Sequence, residues 1–305
     1  MNKRPLIIIA GPTAVGKTAF SISLAEEIGG EIISADSMQV YRGMDIGSAK
    51  ASPEERSRVP HHLIDVIEPT EEFNIVRFQE LAKAAVNDIH GRGKIPIIVG
   101  GTGFYIQSVL YDIAFEENGP DRSYRAMLYE RAGREGPEAL HEELARLDPV
   151  SALAIPANNV KRVARALEYY HDTGSPISVH NEKERKKESP YDFRYFVLTM
   201  DRRRLYERIG TRVDRMMEEG FLDEVKRLRE LGCKRNMTSM QGLGYKQLFA
   251  YLEGEGTLEE AVEKTKAETR HFAKRQLTWF RRERDTIWID TEKEDPLNVY
   301  RTRNF

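Results

Sequence analysis

The chain has 305 residues, 40% hydrophobic and 31% charged, enough to bury a substantial core and to form two domains. Lys and Arg number 47 against 49 Asp and Glu; the net charge of −2 argues against indiscriminate attachment to nucleic acid and leaves room for a local basic groove. The lone cysteine, Cys233, excludes an internal disulfide or a thiolate zinc cluster.

The first apolar run, Leu6–Ala10, reads as a buried strand. Lys3 and Arg4 precede it and Gly11-Pro12 ends it too early for a signal peptide. No other stretch is apolar for long enough to span a bilayer, so the expectation is a cytoplasmic chain without a membrane partner. Directly after the strand, Gly11-Pro12-Thr13-Ala14-Val15-Gly16-Lys17-Thr18 fits the phosphate-loop (P-loop) pattern G-x-x-x-x-G-K-[ST]. A glycine-rich turn between a strand and a helix N-terminus points backbone N–H groups at one anion. Lys17 adds a point charge, and the Thr18 hydroxyl can reach a Mg²⁺ ion. Phe20, Leu24 and Ile28 then form one stripe of a helix that can pack on a sheet.

Further strands are expected at Glu31–Ala35, His62–Val66, Ile95–Val99, Tyr195–Met200 and Thr286–Asp290. Helical periods separate them, for example Phe78, Leu81, Ala82, Ala85 and Ile89 before the Gly91-Arg92-Gly93 break. This alternation implies an α/β fold with a parallel sheet. Asp36 follows the second strand, and in such sheets ligands collect beyond the carboxyl ends of strands. Its carboxylate could hold Mg²⁺, accept a proton from a nucleophile, or simply cap the next turn. The strand Ile95–Val99 ends in Gly100-Gly101-Thr102-Gly103, with glycine where a Walker-B strand carries aspartate. A standard ATPase reading loses weight there, while Thr102 offers a hydroxyl at the same edge.

Between about residues 115 and 190 the strand signal gives way to helical stripes, Leu140, Leu144 and Leu147, then Val160, Val163, Ala164 and Leu167. Glu182–Glu188 is a mixed charge run that reads as solvated surface. The expected organisation is a core from residues 1–114 and 191–305 with a helical insertion at 115–190. Long helices are expected over Arg203–Leu231 and Leu258–Arg284. On the latter, Lys266, Arg270 and Lys274 follow i, i+4 spacing and suit phosphates, while Trp279 suits the core. Arg208 and Arg212, one turn apart, are candidates for a diphosphate.

Several segments in the same order resemble bacterial tRNA dimethylallyltransferases. They are Gly11–Thr18, Asp36-Ser37-Met38-Gln39-Val40-Tyr41 through Gly47, Gly100–Tyr105, Arg162–Glu168, Met240–Lys246 with its Gly244-Tyr245-Lys246, and Ala273–Arg281. The resemblance implies a P-loop kinase-like parallel sheet core that holds the diphosphate of dimethylallyl diphosphate. The acceptor it implies is N6 of the adenosine 3′ of the anticodon, in tRNAs reading codons that begin with U. It also implies Mg²⁺, and an insertion that helps clasp the anticodon stem-loop. Asp36 becomes the group that relieves the adenine amine of its proton, with Lys17, Thr18 and Thr102 beside it. Asp36, Ser37, Met38, Gln39, Thr102 and Arg125 become tRNA contacts, as do Val160, Lys161, Arg162, Val163 and Ala164. Gln39 can offer a donor and an acceptor to a base edge, or be an ordinary turn glutamine. The acceptor adenine must leave its stack to react. A monomer is expected. Two rivals share the loop: a small-molecule or nucleoside kinase, and an RNA-binding nucleotide switch without catalysis.

Overall fold

Arg4–Ala10 (β1), Glu31–Ser34 (β2), His61–His62 (β3), Pro96–Gly100 (β4), Tyr191–Thr199 (β5) and Thr286–Asp290 (β6) lie in one sheet. All pairings are parallel, in the order β3-β2-β4-β1-β5-β6. The computed structural model describes residues 3–115 and 123–303; residues 116–122 of the expected insertion lie outside them. Leu6, Ile7, Ile8, Ile9 and Ala10 are fully buried, because a parallel sheet is covered on both faces and its central strand needs apolar residues on each. On one face the helix Lys17–Ile28 turns Phe20, Ile22, Leu24 and Ala25 onto Ile7, Ile9, Phe196 and Leu198. Each such side chain contributes about 1.5–3 kcal/mol on burial, and truncating Ile9 to Ala would cost about 2–5 kcal/mol.

Four sequence expectations shift, one of them the strand expected at Tyr195–Met200, which starts four residues earlier, at Tyr191. The strand at His62–Val66 is only His61–His62, since Leu63 turns to φ 61° and Asp65 to φ 56°, which ends extended backbone. The helix expected over Arg203–Leu231 is two, Arg202–Glu218 and Phe221–Glu230, broken at Gly220 with φ 96°. The last long helix runs Leu258–Phe280, four residues shorter than expected, started by the Thr257 side chain accepting from Glu260 N. Among the described residues no helix is long and apolar enough to cross a membrane.

The chain divides into two compact units, Met1–Leu110 with Pro190–Phe305, and Tyr111–Ser189. Within the second unit, helices Ser123–Glu135, Pro137–Leu147, Pro149–Ala154 and Val160–Thr173 enclose Leu128, Leu140, Leu144, Val163, Ala164 and Leu167. The charge run at Glu182–Glu188 is not wholly solvated: Glu184 is buried, accepts from Ala114 N at 2.8 Å and pairs with Lys187 at 2.6 Å.

Candidate active site

Strand register builds the site. Ala10 pairs with Gly100 and Val197, and Ser34 pairs with Val99, so β1, β2 and β4 end level. Gly11, Asp36 and Gly101 therefore leave the sheet side by side, into a cleft of about 840 Å³. Its lining includes Thr13, Ala14, Gly16, Lys17 and Thr18, then Asp36, Ser37, Met38, Gln39 and Thr102, with Arg208 and Arg212 from the helix Arg202–Glu218. That volume lies in the usual range for small-molecule sites, about 300–1,000 Å³.

The phosphate loop is anchored from below. Val15 packs into the core, and Gly11 and Pro12 are buried. Lys17 Nζ donates to Gly11 O at 3.0 Å and Pro12 O at 2.8 Å, folding the lysine over its own loop. Ala14 sits at φ 66°, a left-handed conformation that costs energy and persists where the surroundings dictate it. Burial, and after it Arg212, lower Lys17 to about 7, with Asp36 opposing both. Arg212 is also lowered by burial, again with Asp36 opposing. Two cations thus crowd one carboxylate in a confined space, an arrangement that a bound polyanion would relieve.

At the end of β2, Asp36 Oδ1 accepts from Met38 N at 2.9 Å, so one carboxylate oxygen shapes the turn. Gln39 accepts from Ser34 Oγ at 2.8 Å and donates to Ser48 O at 3.4 Å and Ala49 O at 3.3 Å. Its amide braces the neighbouring loop, and the residue also lines the cleft. Thr102 O accepts from Tyr105 N and Ile106 N, starting the helix Gly103–Leu110.

Among the described residues no cluster of three or more His, Cys, Asp or Glu could hold a metal. The exposed Thr18 hydroxyl and the Asp36 carboxylate do share the cleft. Such a set of one or two protein oxygens fits a Mg²⁺ ion completed by phosphate oxygens and water.

The remaining expected contacts divide. In the second unit, Lys161 and Arg162 are exposed and Val160 is half-buried, whereas Val163 and Ala164 are fully buried and offer RNA no side-chain surface. Arg125 forms a paired interaction with buried Glu168, Nε to Oε1 at 2.8 Å and Nη2 to Oε2 at 2.5 Å. On the helix Leu258–Phe280, Lys266 is paired with Asp214 at 2.7 Å and Glu263 at 2.9 Å, while Lys274 is exposed. Lys274 instead shares a depression with His271, Arg275, Trp279 and Arg282. Trp279 is half-buried there, edge-on to Phe104 with centroids 6.3 Å apart.

Sequence reasoning gave no role to Glu224 or Gln276, two buried polar side chains that brace the cleft walls. The available signal was weak: Gln276 lies three residues after Ala273 and four before Phe280, on the inward stripe of its helix.

The pattern of the IPP transferase family matches residues 39–283, and that of the isopentenyl transferases matches residues 4–66. A tRNA dimethylallyltransferase of Lachnoclostridium phytofermentans is 59% identical over 286 residues, 94% of this chain and 91% of its own length. The crystal structure of the tRNA isopentenylpyrophosphate transferase from Bacillus halodurans matches with a TM-score of 0.74 and 45% identity, covering 99% of this chain and 95% of that one. A eukaryotic dimethylallyltransferase caught acting on tRNA matches with a TM-score of 0.82 and 32% identity, over 98% of this chain and 77% of that one. With a family pattern and relatives of this identity running through nearly its whole length, the chain belongs to the IPP transferase family, the tRNA dimethylallyltransferases.

Proposed function

We propose that this chain transfers the dimethylallyl group of dimethylallyl diphosphate to N6 of the adenosine 3′-adjacent to the anticodon, in tRNAs reading codons that begin with U. The observation that carries the proposal is the single cleft joining the phosphate loop, Asp36 and Thr102. In the reaction the bond from the prenyl carbon to the diphosphate oxygen breaks, the carbon bonds to N6, and an N6 proton leaves. The loop amides, Lys17, Arg212 and Arg208 face the charge that grows on the departing diphosphate. Groups of this kind are typically worth about 10²–10³ in rate each. Asp36, across the cleft, accepts the proton through the oxygen not committed to Met38 N. Bound Mg²⁺, held by Thr18 and phosphate oxygens, would supply further positive charge to the leaving group.

Contacts to RNA are assigned to Ser37, Met38, Gln39 and Thr102 at the cleft, and to Arg270 and Lys274 on the last long helix. The insertion contributes Arg125, Val160, Lys161 and Arg162, and the chain acts as a monomer. Charge and exposure support these roles most strongly at Lys161, Arg162 and Lys274. The kinase alternative is disfavoured by β4, which ends in Gly100 without a Walker-B aspartate. Incubating the protein with unmodified tRNA and dimethylallyl diphosphate, then digesting to nucleosides for mass spectrometry, tests the reading. The expected product is an adenosine heavier by one isoprenoid unit at the position after the anticodon. Phosphoryl transfer from ATP to a metabolite, with unprenylated tRNA, would overturn it.

A further inference from the structure

One side chain joins the two walls of the cleft. Gln276, on the helix Leu258–Phe280, is only 5% exposed. Its Oε1 accepts from Thr13 N at 2.9 Å, and its Nε2 donates to Gly101 O at 3.0 Å. Both partners are backbone groups of fixed polarity, so only one orientation of the amide satisfies both ends. Thr13 is the third residue of the phosphate loop, and Gly101 immediately precedes Thr102. A β-carbon at Gly101 would lie 2.0 Å from Gln276 Nε2, so this glycine makes room for the amide. One turn further on, Trp279 closes over Gly103 in the same way, with a β-carbon there 2.1 Å from Cδ1. Thr102 is held between two glycines that the same helix grips.

We propose that Gln276 is a positioning residue for prenyl transfer. It fixes the phosphate loop and the Gly101-Thr102-Gly103 segment relative to each other, so that a diphosphate ester on one and a nucleotide on the other meet at reacting distance. The proposal rests on the reading of the cleft given above. Its physical basis is that the Thr13 N–H, a loop donor that an anion could otherwise take, is committed to the amide. The loop's shape is therefore referred to the opposite wall of the site. Misplacing reacting groups by about 1 Å costs on the order of 100-fold in rate.

Two full-length variants test this. Gln276→Met keeps the side-chain length and removes both hydrogen bonds. Gln276→Glu keeps an acceptor for Thr13 N–H and can donate to Gly101 O only while its carboxyl is protonated. For each, single-turnover prenylation per titrated active site is measured with saturating donor and tRNA. Pyrophosphate affinity, tRNA affinity and thermal unfolding are measured alongside. Gln276→Met is expected to lower the rate per site about 100-fold while changing both affinities by less than about fivefold. Gln276→Glu is expected to show a variant-to-parent rate ratio that falls as pH rises and the donor is lost. A merely structural role would reduce the folded fraction and leave the rate per site and that ratio untouched. A rate per site within about twofold of the parent for Gln276→Met, or a pH-independent ratio for Gln276→Glu, overturns the proposal. Lys17→Ala is run in parallel. If it abolishes pyrophosphate binding while Gln276→Met reacts like the parent, the positioning claim alone falls; if Lys17→Ala binds normally, the reading of the cleft falls and the proposal with it.

Discussion

Glu224 accepts a hydrogen bond from the Tyr245 hydroxyl at 2.6 Å, and both side chains are almost wholly buried. The same carboxylate accepts from Asp45 N and Ile46 N at 2.8 Å each and from Gly47 N at 3.1 Å. Three successive N–H groups form a concavity suited to an anion, and a side chain of the protein fills it. The loop so fixed supplies Ser48 O and Ala49 O to Gln39, which braces the turn that begins at Asp36. Burial and Glu224 together push the Tyr245 hydroxyl well above its ordinary range, so it stays a donor.

Removing this carboxylate should therefore be costly in a specific way. Glu224→Ala leaves four donors without their acceptor, the Tyr245 hydroxyl buried and the three loop N–H groups part-buried, and is expected to destabilise the fold by about 3–5 kcal/mol. Tyr245→Phe should cost about 1–2 kcal/mol. Because the two groups share one hydrogen bond, the double variant should lose less than the sum, by about 1 kcal/mol. Urea unfolding of the four proteins measures this, and strict additivity would deny the coupling.

Lys17 should make the proposed diphosphate site pH-dependent. In the free protein burial and Arg212 hold it to about 7, and a bound polyanion favours the ammonium, raising its pKa. The bound state then holds more protons than the free state above about pH 7, so pyrophosphate affinity should weaken as pH rises through that value. Calorimetry in buffers of different ionisation enthalpy should show proton uptake on binding. Lys17→Ala should remove that part of the uptake and weaken binding; uptake identical to the parent's would assign the proton elsewhere.

Asp36→Asn preserves shape and an acceptor for Met38 N while removing the proposed base. Single-turnover prenylation should fall by about 10²–10⁴, with tRNA affinity changed only a few-fold. Rates equal to the parent's would show that the adenine proton leaves without this carboxylate.

Acid stability should report a different carboxylate. Glu31, buried in β2, is lowered to about 2, mainly by the Arg92 guanidinium, with Lys94 and His62 assisting against the cost of burial. A depressed folded pKa contributes stability above the unfolded value near 4.5 and loses it as pH falls toward about 2. Glu31→Gln should be less stable at neutral pH and show a flatter decline across that window in denaturant titrations. A parallel decline would place the acid-sensitive group elsewhere.

The positions of the phosphate loop, Asp36 and the Gly100–Thr102 edge were legible in the sequence because each follows a short β-branched run bounded by turn residues, the pattern of a covered strand. Chain-reversing positions were less legible. Leu63 at φ 61° gives no sign in its residue type that it ends β3, whereas Gly220 did carry the usual mark of a helix break. Long-range polar partners were not legible at all. The acceptors for Lys266 lie both three residues away, at Glu263, and on another helix, at Asp214; Gln276 reaches residues 175 and 263 positions distant. Periodicity shows which face of a helix turns inward, and leaves open what it meets there.

The same difference divides the basic stripe of the helix Leu258–Phe280. Lys266 and Lys274 look equivalent in sequence, yet Lys266 is 16% exposed at its side chain and held by two carboxylates, while Lys274 is exposed beside Arg275 and Arg282. Each phosphate contact releases about one condensed counterion, so losing one should lower the slope of log affinity against log salt by about 1. Lys274→Glu is expected to weaken tRNA binding and flatten that slope. Lys266→Glu should leave the slope close to the parent's and act on stability, since it places a third acid against Asp214 and Glu263. Filter binding over a salt series separates the two, and equal slope changes would mean that Lys266 leaves its carboxylates when RNA arrives.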